Sequence, residues 1–280
     1  MEKKIESLRN SIKSNPNLSE EFKCNLGTLT DTMVTVFPNY DYSNYEEVLS
    51  SLNVKINDTT DGYARYNSET KTIEFNTSKI FEDRIDLQYL FLDNLVRIGS
   101  GVNEVKPELD GFITGLTEVI ASTMNNDESM KKLNVLEALG MNIFSKIVSP
   151  ETLLNAYMTG DMGSVVVELE GLGITNEEFN KLLDAFNKMS TPNGFTDAEC
   201  IMTNMFSKVV DTKLKSGIIT EEEINEEYGD FSDMLIYSKS ELISMYPHQD
   251  FSNLTGFDNV KKTLEDAVVK TENKEEQYVK

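Results

Sequence analysis

Basic residues are a minority in this chain, histidine occurs once and cysteine twice. Over 280 residues there are 48 Asp and Glu against 26 Lys and Arg, a formal charge of −22 at pH 7 and a pI near 4.4. A surface this acidic repels nucleic acid and anionic membrane, so neither is expected as a partner. The one histidine, His248 in Tyr246-Pro247-His248-Gln249, reads as a surface or loop residue. Cys24 and Cys200 have no metal-like spacing and fall at apolar positions of candidate helices, so they read as buried free thiols. A disulfide between them would need an oxidising compartment. Nor does any segment approach eighteen uninterrupted apolar residues, so no membrane-spanning helix is expected. The start, Met1-Glu2-Lys3-Lys4-Ile5-Glu6, places charges where an export signal would need an apolar core, and the expected location is cytoplasmic.

What is present is mostly helical patterning. Ile5, Leu8 and Ile12 mark a first helix that Asn15-Pro16-Asn17 ends. Ser19 opens a second, with Phe22, Leu26, Leu29, Met33 and Phe37 at helical spacing before Pro38. A Tyr- and Asn-rich turn over 39–44 follows, and its tyrosines suit either packing at a domain edge or a binding surface. The period then changes. Leu52–Ile56 alternates like a strand, and Tyr63–Tyr66 with Thr72–Phe75 reads as an antiparallel hairpin. Ser78 to Asp86 leads into an apolar helix whose face is Leu87, Leu90, Phe91, Leu95 and Ile98, ending at Gly99-Ser100-Gly101.

Beyond Ser129 a helical lobe is expected. Leu133 to Ile147 fits one long helix, Ser149-Pro150-Glu151 starts another, and Val165–Leu169 reads as a short third. Capping-box patterns at Thr175, Thr196 and Thr220 each announce a helix, and Asn259–Lys270 reads as a last one before a frayed tail over 271–280. Met202, Met205, Met234 and Met245 suit core packing or an adaptable groove. The expected division is 1–128 for N-terminal helices with an α+β core, 129–270 for the helical lobe, and 271–280 for the tail.

The central helix carries charge where charge is expensive. Asp93 and Arg97 are four apart and share one face, which reads either as a solvated pair or as a half-buried pair sealing the helix. The run Phe91-Leu92-Asp93-Asn94-Leu95-Val96-Arg97-Ile98-Gly99-Ser100 resembles the active-site helix of gluzincin-type zinc metallopeptidases. On that pattern Asp93 stands at the first His of His-Glu-x-x-His, Asn94 at the catalytic Glu and Arg97 at the second His. Gly115-Leu116-Thr117-Glu118-Val119 resembles the second helix of these proteins, with Glu118 at the third zinc ligand. A tyrosine-containing helix ending in Thr159-Gly160-Asp161 is also similar to one in metallopeptidase-like proteins of low-GC bacteria.

The chemistry-bearing positions are the ones that differ. Catalytic zinc needs about three N, O or S ligands, an open position for water and a base beside it. A guanidinium has only donors and stays charged, and an amide has no useful proton affinity. The resemblance therefore implies a zincin-like α+β core, mostly helical, with a small antiparallel sheet before the former active-site helix and no working zinc centre. Arg97 would stand in for the ion, neutralising Asp93 and Glu118. No cofactor is expected. The function it implies is that of a pseudoenzyme binding a protein or peptide in the former substrate cleft. The alternative is a divergent metal-assisted hydrolase using Asp93, Asp110 and Glu118, although calcium or magnesium would want more oxygen ligands than these supply.

Overall fold

The computed structural model describes residues 1–60, 62–100, 107–124, 133–220 and 223–249. The chain is mostly helical with one small three-stranded sheet, and it divides into two compact units. The first gathers Met1–Glu104, Thr117–Leu133 and Met158–Gly160; the second gathers Val105–Leu116, Asn134–Tyr157 and the chain from Asp161 onward. The division is interleaved along the chain.

In the first unit, α1 (Glu2–Ser14) packs on α2 (Glu20–Val36) and α3 (Ser43–Ser51). The apolar periodicity explains this, since Leu8, Ile12, Leu26, Met33 and Leu49 are all buried. Ser19 caps α2 by accepting the Phe22 N–H at 3.2 Å. Asn15, fully buried, donates its amide to the Leu49 and Leu52 carbonyls at 2.8 and 2.9 Å, tying the end of α1 to the end of α3. Cys24 is exposed and Cys200 half-buried, so the expected burial of both thiols is corrected.

The strands are β1 (Asn53–Ile56), β2 (Ala64–Asn67) and β3 (Thr72–Phe75), close to their expected positions. Their order is β1-β3-β2, with β2 antiparallel to β3 and β1 parallel to it. The sheet is therefore mixed, a correction to the antiparallel sheet expected. The apolar strand decides it: Thr72, Ile73 and Phe75 of β3 are buried and take the centre, leaving the more polar β1 and β2 as edges. After β3 comes a separate helix, α4 (Thr77–Asp83), capped by Asn76, which accepts the Lys79 N–H at 3.1 Å. It ends where Arg84 turns left-handed at φ 54°, and α5 (Leu87–Gly99) follows.

The next helix, α6 (Asp110–Met124), begins four residues ahead of the loop end expected at Thr114. Its start is supplied from a distance, because the Asn187 side chain accepts the Gly111 N–H at 2.8 Å. No local pattern announces such a cap. The expected break at Asn125-Asn126-Asp127 lies outside the described residues.

The second unit holds α7 (Val135–Phe144), most of α8 (Pro150–Thr159), α9 (Gly163–Gly171), α10 (Asn176–Phe186), α11 (Pro192–Lys215) and α12 (Ile224–Met245). Its core includes Phe112, which meets Phe186 at 5.4 Å and Phe144 at 5.6 Å between ring centroids, edge to face. Met202 and Met205 are core residues, whereas Met245 is 40% exposed. The Thr175 capping box forms as read. The Thr196 box does not: α11 starts at Pro192, with Thr191 accepting the Gly194 N–H at 3.2 Å, and Thr196 is buried with its hydroxyl on the Asn193 carbonyl. A proline preset for the first turn behind a threonine cap is the earlier start signal, and the helix propagates through the later one. The helix expected at 259–270 and the tail at 271–280 lie outside the described residues. Among the described residues, no helix is long and apolar enough to cross a membrane.

Candidate functional site

Helix α5 is organised by its two ends. At its start Asp86 acts as cap, its carboxylate accepting the Tyr89 N–H at 2.9 Å. At its finish Tyr45 donates its hydroxyl to the Leu95 carbonyl at 2.7 Å, and the Tyr40 hydroxyl donates to the Gly99 carbonyl. These two hydroxyls give partners to carbonyls in the last turns of the helix. A β-carbon at position 99 would fall inside the Tyr45 ring, so glycine there permits the close approach. The tyrosine cluster is thus packing: Tyr40 and Tyr42 meet edge to face at 4.9 Å, and Tyr42 and Tyr45 are buried.

Between those ends the helix is enclosed on nearly every side. Tyr89, Leu90, Phe91, Leu92, Leu95, Val96 and Ile98 are all buried, while Leu87, expected on the apolar face, is 47% exposed at the first turn. A helix apolar all round is a core element, and polar side chains on it must find partners locally. Asn94, 3% exposed, does so within its own helix, donating its amide to the Leu90 carbonyl at 2.8 Å.

Asp93 is 6% exposed. Its Oδ2 lies 3.4 Å from Arg97 Nε, and its Oδ1 has no hydrogen-bond partner. Burial raises its carboxyl to about 6, with the Arg97 cation opposing the rise and Glu118 adding to it. The Arg97 side chain is 31% exposed, so it is a half-buried seal of the kind read from the spacing.

Glu118, on the part of α6 within the first unit, is fully buried. The Tyr89 hydroxyl donates to its Oε1, as does the Leu133 N–H at 3.3 Å. The Ser122 hydroxyl lies 3.3 Å from the Tyr89 oxygen, and burial together with Glu118 holds the Tyr89 phenol well above its ordinary range. The structure thus brings Asp93 and Glu118 into electrostatic reach, and the Tyr89 hydroxyl holds Glu118. Sequence reasoning missed Tyr89 and Ser122. Both stand one helical turn from a singled-out acid, Tyr89 before Asp93 and Ser122 after Glu118, and a tyrosine inside an apolar helix is itself a sign of a buried partner.

Asp110 is exposed in the first turn of α6, roughly 12 Å along the helix from Glu118 by its rise per residue. Among the described residues no three His, Cys, Asp or Glu side chains are grouped to hold a metal ion. The zinc ion that the resemblance would imply does not fit this donor set. Arg97 carries no lone pair to give, the Asn94 amide is committed to its own helix, and Glu118 Oε1 is already occupied by two donors. His248 is exposed near the end of the described chain.

One edge of the sheet lies beside this helix. β2 packs against α5 and pairs only with β3 among the described residues. The Asn76 N–H bonds the Tyr63 carbonyl at 2.9 Å, and carrying that register forward makes Arg65 and Asn67 the hydrogen-bonded partners of β3. The main-chain groups of Ala64 and Tyr66 consequently point to the open edge. No family model matches this chain, and neither the curated proteins nor the solved structures include a significant match to it.

Proposed function

We propose that this protein is a non-catalytic binder built on a zinc-peptidase-like frame, which takes a peptide segment as an added strand along β2 beside α5. The observation that carries the reading is the open edge of β2, with the outward main-chain groups of Ala64 and Tyr66, lying against the helix that holds the altered motif. Strand addition needs such an edge and draws its affinity from main-chain hydrogen bonds. The polar cluster of α5 and α6 supports a holding role and not a cutting one. Its acids are enclosed, one bound by a tyrosine and the other facing a cation, and no water-activating base stands at position 94.

A peptide array followed by hydrogen exchange tests this. Captured peptides should slow exchange at Ala64 and Tyr66, and Tyr66→Pro should weaken capture at least tenfold, because it removes an outward N–H without deleting a bond to β3. Peptides that bind while leaving β2 exchange unchanged, or no capture at all, would refute the reading. Hydrolase activity lost on chelation and in Glu118→Gln would favour the metal-assisted alternative through Asp93, Asp110 and Glu118.

A further inference from the structure

In the second unit, α11 and α12 are consecutive helices packed along one seam. Lys213 reaches Glu227 at 3.2 Å near the connecting loop, and further along Phe206 stacks on Phe231 with centroids 3.9 Å apart. The helices therefore run antiparallel with Phe206 opposite Phe231. About two turns before Phe206 comes Glu199, and about two turns after Phe231 comes Ser238. That register sets Glu199 and Ser238 in the same layer of the seam. Glu199 is 2% exposed and Ser238 1%, and both Glu199 Oε1 and Ser238 Oγ lack hydrogen-bond partners.

An apolar seam needs neither group, and each buried orphan is costly. The layer is tolerable while Glu199 is neutral. Burial pushes its carboxyl up to about 8, with only the exposed Lys239 of α12 pulling the other way. On its own helix the nearest titratable groups are Asp197 and Cys200. Of the other helices packed on α11, α7 brings only the half-buried Glu137, and α10 brings Glu177, Lys181 and Asp184, all exposed, with Glu178 bound to Lys208.

We propose that Glu199 is a proton-controlled latch: as the neutral acid it lets α12 close on α11, and on losing its proton to solvent it drives α12 to open. The open form hydrates the carboxylate, so it gains ground as pH rises. Amide hydrogen exchange of residues 231–242 in the full chain, corrected for intrinsic rates between about pH 5 and 8.5, tests the proposal. In the native protein the opening constant should climb by up to about tenfold per pH unit and then level off near the folded carboxyl's titration. Glu199→Gln should abolish that dependence, and Lys239→Met, which removes the nearby cation, should carry the climb to higher pH. A flat native profile, or a Glu199→Gln profile as steep as the native one, overturns the latch. Should Glu199→Gln not fold, coincident profiles for the native protein and Lys239→Met overturn it equally.

Discussion

Tyr89 carries the sharpest test of the buried site at the scale of single residues. Replacing it by Phe leaves Glu118 Oε1 without its hydroxyl donor in a fully buried place, so Tyr89→Phe should cost about 1.5–3 kcal/mol in urea unfolding. Ser122→Ala, which removes only a peripheral contact to the same hydroxyl, should cost under about 1 kcal/mol. Asp93 gives a pH signature. Its carboxyl titrates near 6 in the fold against 3.8 when free, so the fold prefers the neutral acid. Its contribution is whole below the free value and is lost as pH rises through about 6, at up to roughly 1.4 kcal/mol per unit. Asp93→Asn should flatten the urea midpoint across that window, and an unchanged slope would assign the effect to another group. Arg97→Leu leaves a buried acid without its cation and should cost about 1–2 kcal/mol, against no more than about 0.5 for the exposed Arg65→Leu. Equal small losses in calorimetry would remove Arg97 from any sealing role. The pair of Asp93 and Arg97 was legible from its spacing. Its geometry was not, because the burial of most of α5 depends on helices distant in sequence.

At the scale of elements, the glycines separate tertiary need from helix propensity. Gly99→Ala drives a methyl into the Tyr45 ring and should cost about 3 kcal/mol or more. Gly27, inside α2 with nothing near its missing side chain, should gain about 0.5–1 kcal/mol when changed to Ala. Thermal melts of both variants check the contrast. Most helices were legible because their apolar residues recur at helical spacing and their caps are local, as at Ser19 and Thr175. The start of α6 was not, since its cap comes from Asn187, and the start of α11 was misplaced because two adjacent signals competed. The strands were read where they lie. Their order was not, because pairing depends on which strand the core claims, and β3 has the most to bury.

At the scale of the molecule, a net charge of −22 should make the folded chain repel itself. Raising ionic strength from a few millimolar to about 0.5 M should screen that repulsion and add on the order of 1 kcal/mol to the unfolding free energy. Loss of stability with salt would mean that ion pairs such as Arg9 with Asp31 and Lys208 with Glu178 outweigh it. The composition, the helical character, the positions of the three strands and the odd charges of the central helix were determined by the sequence alone, because each rests on residues within a few turns of one another. Only the tertiary structure decided that β3 is central, that a tyrosine holds Glu118, that the two units interleave along the chain, and that Glu199 and Ser238 are buried without hydrogen-bond partners for Glu199 Oε1 and Ser238 Oγ. Those outcomes depend on which distant surfaces exclude water together, and periodicity within one segment cannot name its partner.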